Sequence, residues 1–425
     1  MFYFRYLALF FALASQINFP ICDADTEDTN PSVSWHHKVQ TGPLQKEIEK
    51  LLPNSTLKLP KGFFQGPIHI KTVGITIEGV TGTVITGNGK GSVIVVEAPD
   101  VTIKGLTITG SGLSYTQADA GIGLRSVDNV KLLNNILADC LFGIDVYSGT
   151  NILISGNSLS SKNLEMGLRG DAIRLWSVSN SHVLNNKWSY SRDVVAWYSK
   201  KIVFKNNQGS DSRYSIHSMY SKGITIQNNT FKRNQVGIFL MYGSDFVITN
   251  NTIERALGAA GMGIGLKESS NIIAQNNTIN YSSIGVLIDN SPFNSGSRNW
   301  FLGNTLAFNS KGVLLSNDQK GGEFKKNVFI GNLIDVDTDN RRGSNSIWEK
   351  NYWDKYLGFD EDKNKIGDKP YILRKFGDTI KGSDPKTSFF NGTLLFTLID
   401  IIEEVTSIGE PIIVLVDKHP YILKD

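Results

Sequence analysis

Three side chains near the middle of the chain have the chemistry to hold a soft metal ion: His217, Met219 and Met241. His217 and Met219 lie in the run RYSIHSMY, Arg213 to Tyr220; Met241 lies in GIFLMYG, Gly237 to Gly243, 22 residues after Met219. If that interval is one turn of a stacked coil, the two thioethers stand one above the other, about 4.8 Å apart at the backbone. His217 then projects from the same strand face as Met219, because side chains alternate, and sits about 7 Å along the strand. Thioethers are soft donors that select Cu(I), and imidazole also suits copper. Met262, just before the next strand, is a further candidate donor, and the pair His36-His37 is a candidate metal contact. The competing reading is that these methionines pack under a loop. Against it, four methionines follow Met1, and two of them fall on consecutive rungs of one outward column.

Two other groupings could do chemistry. Asp171 and Asp193 occupy the same place in consecutive repeats, and paired carboxylates on such a wall can act as acid and base on a sugar chain. Their structural alternative is a polar rung paired with Arg169 and Arg192, and the clustered Asp/His/Lys set of such enzymes is missing. Asp360, Asp362, Asn364, Ile366 and Asp368 alternate like the ligands of a calcium loop, but the glycine and terminal glutamate of that pattern are absent, so a plain acidic turn competes with it.

The elements that must position these residues follow from a repeat. Asparagines recur at Asn135, Asn157, Asn186, Asn207, Asn229, Asn251, Asn277 and Asn304, with a base period of about 22 and occasional longer intervals. Between them lie short β-rich runs. Aligning these predicts one inward stack of Ile144, Ile173, Val195, Ile216, Ile238, Ile264, Val286 and Val313, and a second that includes Val146, Leu175, Trp197, Ser218 and Leu240. The outward columns then carry Trp176, Tyr198, Met219 and Met241 in one line and Arg174, Ala196, His217 and Phe239 in the other. One such coil cannot bury its apolar side alone, so stacking must build the core. The pattern predicts an all-β, right-handed parallel β-helix with an Asn ladder at one turn. That ladder explains the Asn-x-Thr triplets better than glycosylation does.

The flanks differ in texture. Residues 1–24 read as a secretory signal peptide, with Arg5, a short apolar run and a small-residue cleavage site after Ala24. Residues 25–56 form an N-terminal cap region, with an amphipathic helix over Pro43 to Leu52 covering the open end of the array. The β-helix is expected over 57–340, its coils ending near Asn332–Asp335. The remainder, 341–425, reads as a turn-rich segment around Asn351-Tyr-Trp-Asp354, an apolar helix over Phe389 to Val405, and an extended tail. A net charge of +3 gives no argument for nucleic acid as a partner. After cleavage Cys140 is the one cysteine, so stability must come from packing rather than a disulfide, which fits export to a bacterial periplasm.

Several stretches together resemble the NosD family, periplasmic accessory proteins for maturation of nitrous oxide reductase. They are Gly170 to Trp176, Arg192-Asp193, Arg213 to Tyr220, Leu240 to Gly243, Asn351 to Asp354, Gly367 to Tyr371, Glu410-Pro411 and Asp417 to Pro420. The resemblance implies a non-enzymatic role: docking on the membrane and ATPase subunits of an ABC transporter, receiving copper from a lipoprotein chaperone, and presenting it to apo nitrous oxide reductase, whose catalytic site is a copper–sulfur cluster. It places His217, Met219 and Met241 on the family's methionine-bearing strands, though this chain has Ser215 where the family has glycine. The alternative expectation is a periplasmic polysaccharide lyase or hydrolase using Asp171 and Asp193.

Overall fold

The computed structural model describes residues 44–338, 343–375 and 412–422. The signal peptide, the His36-His37 pair and the helix expected over Phe389 to Val405 lie outside the described residues. Within them the chain winds into a parallel β-helix. Each coil contributes short strands to two long sheets, one of 24 strands and one of 13, and the second counts one strand per coil from Gly62–Gln65 to Tyr352–Trp353.

The coil from Tyr214 to Arg233 shows why the repeat has its length. Strands Tyr214–Met219, Thr225–Gln227 and Thr230–Lys232 form three walls. Each wall ends where a residue turns into the left-handed region: Tyr220 (φ 51°), Asn228 (φ 56°) and Arg233 (φ 55°). Asparagine tolerates that conformation better than most side chains. This accounts for the Asn-Asn pairs. The first Asn makes the turn and the second points inward to build the ladder. Asn207 Nδ2, for example, donates to Asn229 Oδ1 at 2.9 Å, and Asn229 Nδ2 to Asn251 Oδ1 at 2.9 Å. Serines form a second ladder at another corner, where the Ser199 amide donates to Ser221 Oγ at 3.0 Å.

The ladder continues past the expected end of the coils. Asn304, Asn327 and Asn351 extend it, and parallel pairing joins Phe324 to Trp348 and Phe329 to Trp353. Stacked rings replace aliphatic columns in this last stretch: Phe301, Phe324 and Trp348 lie 4.4 and 4.1 Å apart in turn, and Phe329, Trp353 and Tyr371 lie 4.3 and 4.6 Å apart. Aromatic residues in a turn-rich sequence hide a coil that the aliphatic pattern does not mark. Strand Ile412–Asp417 pairs antiparallel with Tyr371–Lys375 and brings Asp417 to the end of the Asn ladder. At the other end the helix Leu44–Glu49 buries Leu44 and Ile48 against the core, as its apolar spacing requires.

Candidate metal site

Met219 and Met241 are direct rung partners on strands Tyr214–Met219 and Val236–Met241, and both are half-buried. In the same pairing His217 partners Phe239. The column of thioethers is therefore in place, with the imidazole two residues away.

The rung before them is not the one the sequence alignment gives. Asn186 and Asn207 are 21 residues apart, one fewer than the base period. The missing residue is absorbed by a register shift between Asp193 and Val195. In consequence Val194, not Val195, joins the stack with Ile173, and Ala196, not Trp197, faces the core beside Ser218. Val195 partners His217, and Trp197 is the outward partner of Met219. A one-residue slip exchanges the faces of every side chain beyond it. Tyr198 moves to the turn, where it stacks with Tyr220 at 5.2 Å, and Tyr220 stacks in turn with Tyr242 at 5.1 Å.

His217 does not stand on an open wall. Its side chain is 9% exposed. Rings from three coils enclose it: Tyr214 at 5.0 Å and Trp197 at 5.6 Å, both nearly perpendicular, and Phe239 stacked at 6.2 Å. Nδ1 lies 3.5 Å from Asp193 Oδ2, and neither ring nitrogen has a hydrogen-bond partner of normal geometry. An unsatisfied buried polar group costs about 1–3 kcal/mol, and such groups call for an explanation. A soft-metal ligand supplies one. An imidazole with an unpaired Nε2 and thioethers on two paired rungs are donor types suited to Cu(I).

Met262 is buried and lies apart from the thioether pair. It begins the strand Met262–Lys267, five residues before Lys267, the rung partner of Met241. Its sulfur occupies the space left by the missing side chain of Gly265: a Cβ there would meet Met262 Sδ at 2.5 Å and the Phe239 ring at 2.8 Å. Met262 thus packs beside Phe239, on the side of the cluster away from Met241.

The two aspartates are locked into ion pairs. Asp171 receives Arg192 Nε at 3.0 Å and Nη2 at 3.2 Å. Asp193 receives Arg213 Nε at 2.8 Å and a second, shorter bond from Nη2. Arg169, expected as a partner, instead donates to the Leu164 carbonyl at 2.7 Å. Burial, and then the charge of Asp193, push the Asp171 carboxyl up to about 6. Burial also works against charge on Asp193, but the hydrogen bonds from Arg213 and the 3.5 Å contact with His217 overcome it and hold its carboxyl below the usual range. Bidentate guanidinium pairing occupies the oxygens that acid–base work on a sugar would need.

The carboxylates of the 360–368 loop serve its own backbone. Asp360 accepts from the amides of Asn364 and Lys365 at 3.0 Å each, and Asp368 accepts from the Glu361 amide at 2.7 Å. Among the described residues, no group of three or more His, Cys, Asp or Glu side chains converges as a metal site.

Reading the sequence missed Trp197, Tyr214 and Arg213. The 21-residue coil was the available signal for the first. The recurrence of tyrosine at 198, 220 and 242 was the signal for the exposed stack beside the methionines.

The fold defines a parallel β-helix protein with an outward column of soft donors. A family model described as a right-handed beta helix region matches residues 64–187, and one described as periplasmic copper-binding protein (NosD) matches residues 155–358. The second match covers a little under half of the chain, and over that stretch the chain resembles the NosD family. It is 29% identical over 157 residues to a probable ABC transporter binding protein NosD of Stutzerimonas stutzeri, covering 36% of this chain and 35% of that protein. It is 27% identical over 134 residues to the protein of the same description in Pseudomonas aeruginosa, covering 30% and 28%. The chain thus spans about a third of the length of the curated relatives it matches. Among solved structures it resembles the A-module of a mannuronan C-5 epimerase from Azotobacter vinelandii, with a TM-score of 0.57, 14% identity and coverage of 69% of this chain and 89% of that one. It also resembles a family 28 exopolygalacturonase from Yersinia enterocolitica, with a TM-score of 0.52, 13% identity and coverage of 75% and 76%. At those identities the likeness concerns the fold alone. Among the described residues no helix is long and apolar enough to cross a membrane.

Proposed function

We propose that this chain is a periplasmic, non-enzymatic copper-handling scaffold. It takes Cu(I) as cargo on Met219, Met241 and His217 and passes it on during assembly of the copper–sulfur site of nitrous oxide reductase. The observation that carries the reading is the rung pairing of Met219 with Met241 beside a buried imidazole whose Nε2 has no partner and whose Nδ1 has only Asp193 at 3.5 Å. Two thioethers and one imidazole give a site that is soft and short of charged ligands, suited to a cargo that must be released. Met262, behind Phe239, is a reserve donor that a small shift of that ring would admit.

The family model's description supports the periplasmic setting and the copper, and the relatives' names support an ABC transporter as partner; the donor and the recipient of the copper are part of the proposal. The ABC transporter, through its membrane and ATPase subunits, is the docking partner. A lipoprotein chaperone supplies copper, and the apo-reductase receives it. The pairing of Asp171 and Asp193 with arginines favours this reading over a polysaccharide lyase or hydrolase.

An anaerobic Cu(I) titration against a competing chelator tests the site. Met219→Leu, Met241→Leu and His217→Ala should each weaken binding about tenfold or more, equivalent to ~1.4 kcal/mol, and Met262→Leu should weaken it less. Equal copper uptake by wild type and all these variants would remove the assignment.

A further inference from the structure

We infer that Trp197 is a ligand-contacting wall of the metal site, its indole taking a cation–π contact with a soft monovalent cation held by Met219 and Met241. This inference rests on the thioether reading above and adds to it a residue that sets which metals are accepted.

The geometry comes from the register shift. Trp197 partners Met219 on one side of the column, and Met241 partners it on the other. The Met219 sulfur is therefore flanked by an indole and a thioether, each about one 4.8 Å rung away at the backbone. A cation shared by the two sulfurs would lie about one and a half rungs from the Trp197 backbone, a span the long indole can cover to bring its face toward the ion. Trp197 is held from two other sides, by Trp176 at 5.5 Å and by the His217 ring at 5.6 Å. Its Nε1 is buried without a hydrogen-bond partner. No polar contact therefore fixes the indole, and packing alone sets its place beside the sulfur. Tryptophan offers the strongest cation–π face of the aromatic side chains, and its ring also suits a thioether neighbour.

The chemistry discriminates between metals. A weakly hydrated monovalent ion gains from both the ring and the sulfurs. Zn²⁺ and Cu²⁺ lose more by giving up water or nitrogen and oxygen donors for a π face and thioethers. The site should thus prefer Cu(I), and Ag(I) as its redox-inert stand-in, over divalent ions, and the preference should depend on the indole.

The experiment titrates the full chain with Ag(I), reading affinity by competition and intrinsic fluorescence as the difference between wild type and Trp197→Phe, which isolates this one indole. Trp197→Leu should bind Ag(I) roughly threefold to thirtyfold more weakly than wild type. Trp197→Phe should fall between them, and the quench carried by Trp197 should saturate with the same equivalence as binding. If Trp197→Leu does not reach the wild-type circular dichroism spectrum, Trp197→Phe decides alone. Unchanged affinity in the folded variants, with no quench assigned to Trp197, overturns the inference and leaves the thioether site standing. Failure of wild type to bind Ag(I), or binding that ignores replacement of both Met219 and Met241, overturns the copper reading itself.

Discussion

Asp417 Oδ2 accepts a hydrogen bond from Asn351 Nδ2 at 3.0 Å, so a carboxylate from a strand 66 residues further on ends the asparagine ladder. The same oxygen accepts from the Asn351 amide at 2.9 Å and from Trp353 Nε1 at 3.2 Å, while Oδ1 accepts from the Lys350 amide at 3.1 Å. Asp417 is fully buried. Every other rung passes its unsatisfied donor to the next coil, and Asp417 is where that chain of donors stops.

Asp417→Ala should therefore strand several buried donors at once. With each unsatisfied group worth about 1–3 kcal/mol, the last coils should lose roughly 3 kcal/mol or more of local stability. Asp417→Asn keeps an acceptor and continues the ladder, so it should cost less. Stability in a solenoid is local, so amide hydrogen exchange around residues 347–353 is the appropriate measurement. Equal protection in Asp417→Ala and wild type would show that the C-terminal strand is not a true cap.

The Asp171 carboxyl gives a pH-dependent signature. Burial, and then the neighbouring Asp193 charge, raise it from 3.8 to about 6 in the folded chain. A carboxyl raised in the native state contributes stability that is fully present below its unfolded value and is lost as pH rises through the folded one. Wild type should lose this contribution between about pH 4 and pH 6. Asp171→Asn cannot ionise and lacks that loss, although it weakens the pairing with Arg192. The stability difference should accordingly shift in favour of the variant as pH rises across that window, read by urea unfolding at several pH values. A difference that is flat, or that moves the other way, would show that Asp171 is not held at a raised value.

His217 should show a trade of stability for function. Its aromatic enclosure of Trp197, Tyr214 and Phe239 suits a phenyl ring as well as an imidazole. His217→Phe removes a buried Nε2 that has no partner and an Nδ1 whose one neighbour, Asp193 at 3.5 Å, keeps its pairing with Arg213. The variant should unfold at equal or higher denaturant concentration, with a gain of about 1 kcal/mol, and should lose high-affinity Cu(I) binding. Such opposed effects mark a residue kept for activity. A variant as destabilised as one with a truncated core side chain would assign His217 to packing.

Much of this was legible in the sequence for a physical reason: the Asn period and the Ile/Val/Leu stacks are both imposed by coil-on-coil pairing, so they repeat. Met219 and Met241 fell in register because their coil has the base length. Trp197 was misplaced because Val194, Val195 and Ala196 are all apolar and carry no alternation that would locate the missing residue of a 21-residue coil. The burial of His217 was hidden because two of its three covering rings come from neighbouring coils, and that of Trp197 depends on the shift. The closing contact of Asp417 joins residues too distant in sequence for any local pattern to reveal.

The pairing of Met219 with Met241 around one ion is tested most directly by copper K-edge X-ray absorption on the chain loaded with one equivalent of Cu(I). The account predicts a Cu(I) centre with two sulfur scatterers and one imidazole nitrogen, one sulfur disappearing in Met219→Leu and in Met241→Leu and the nitrogen in His217→Phe. A first shell of nitrogen and oxygen alone, or one that is identical in wild type and all three variants, would contradict it.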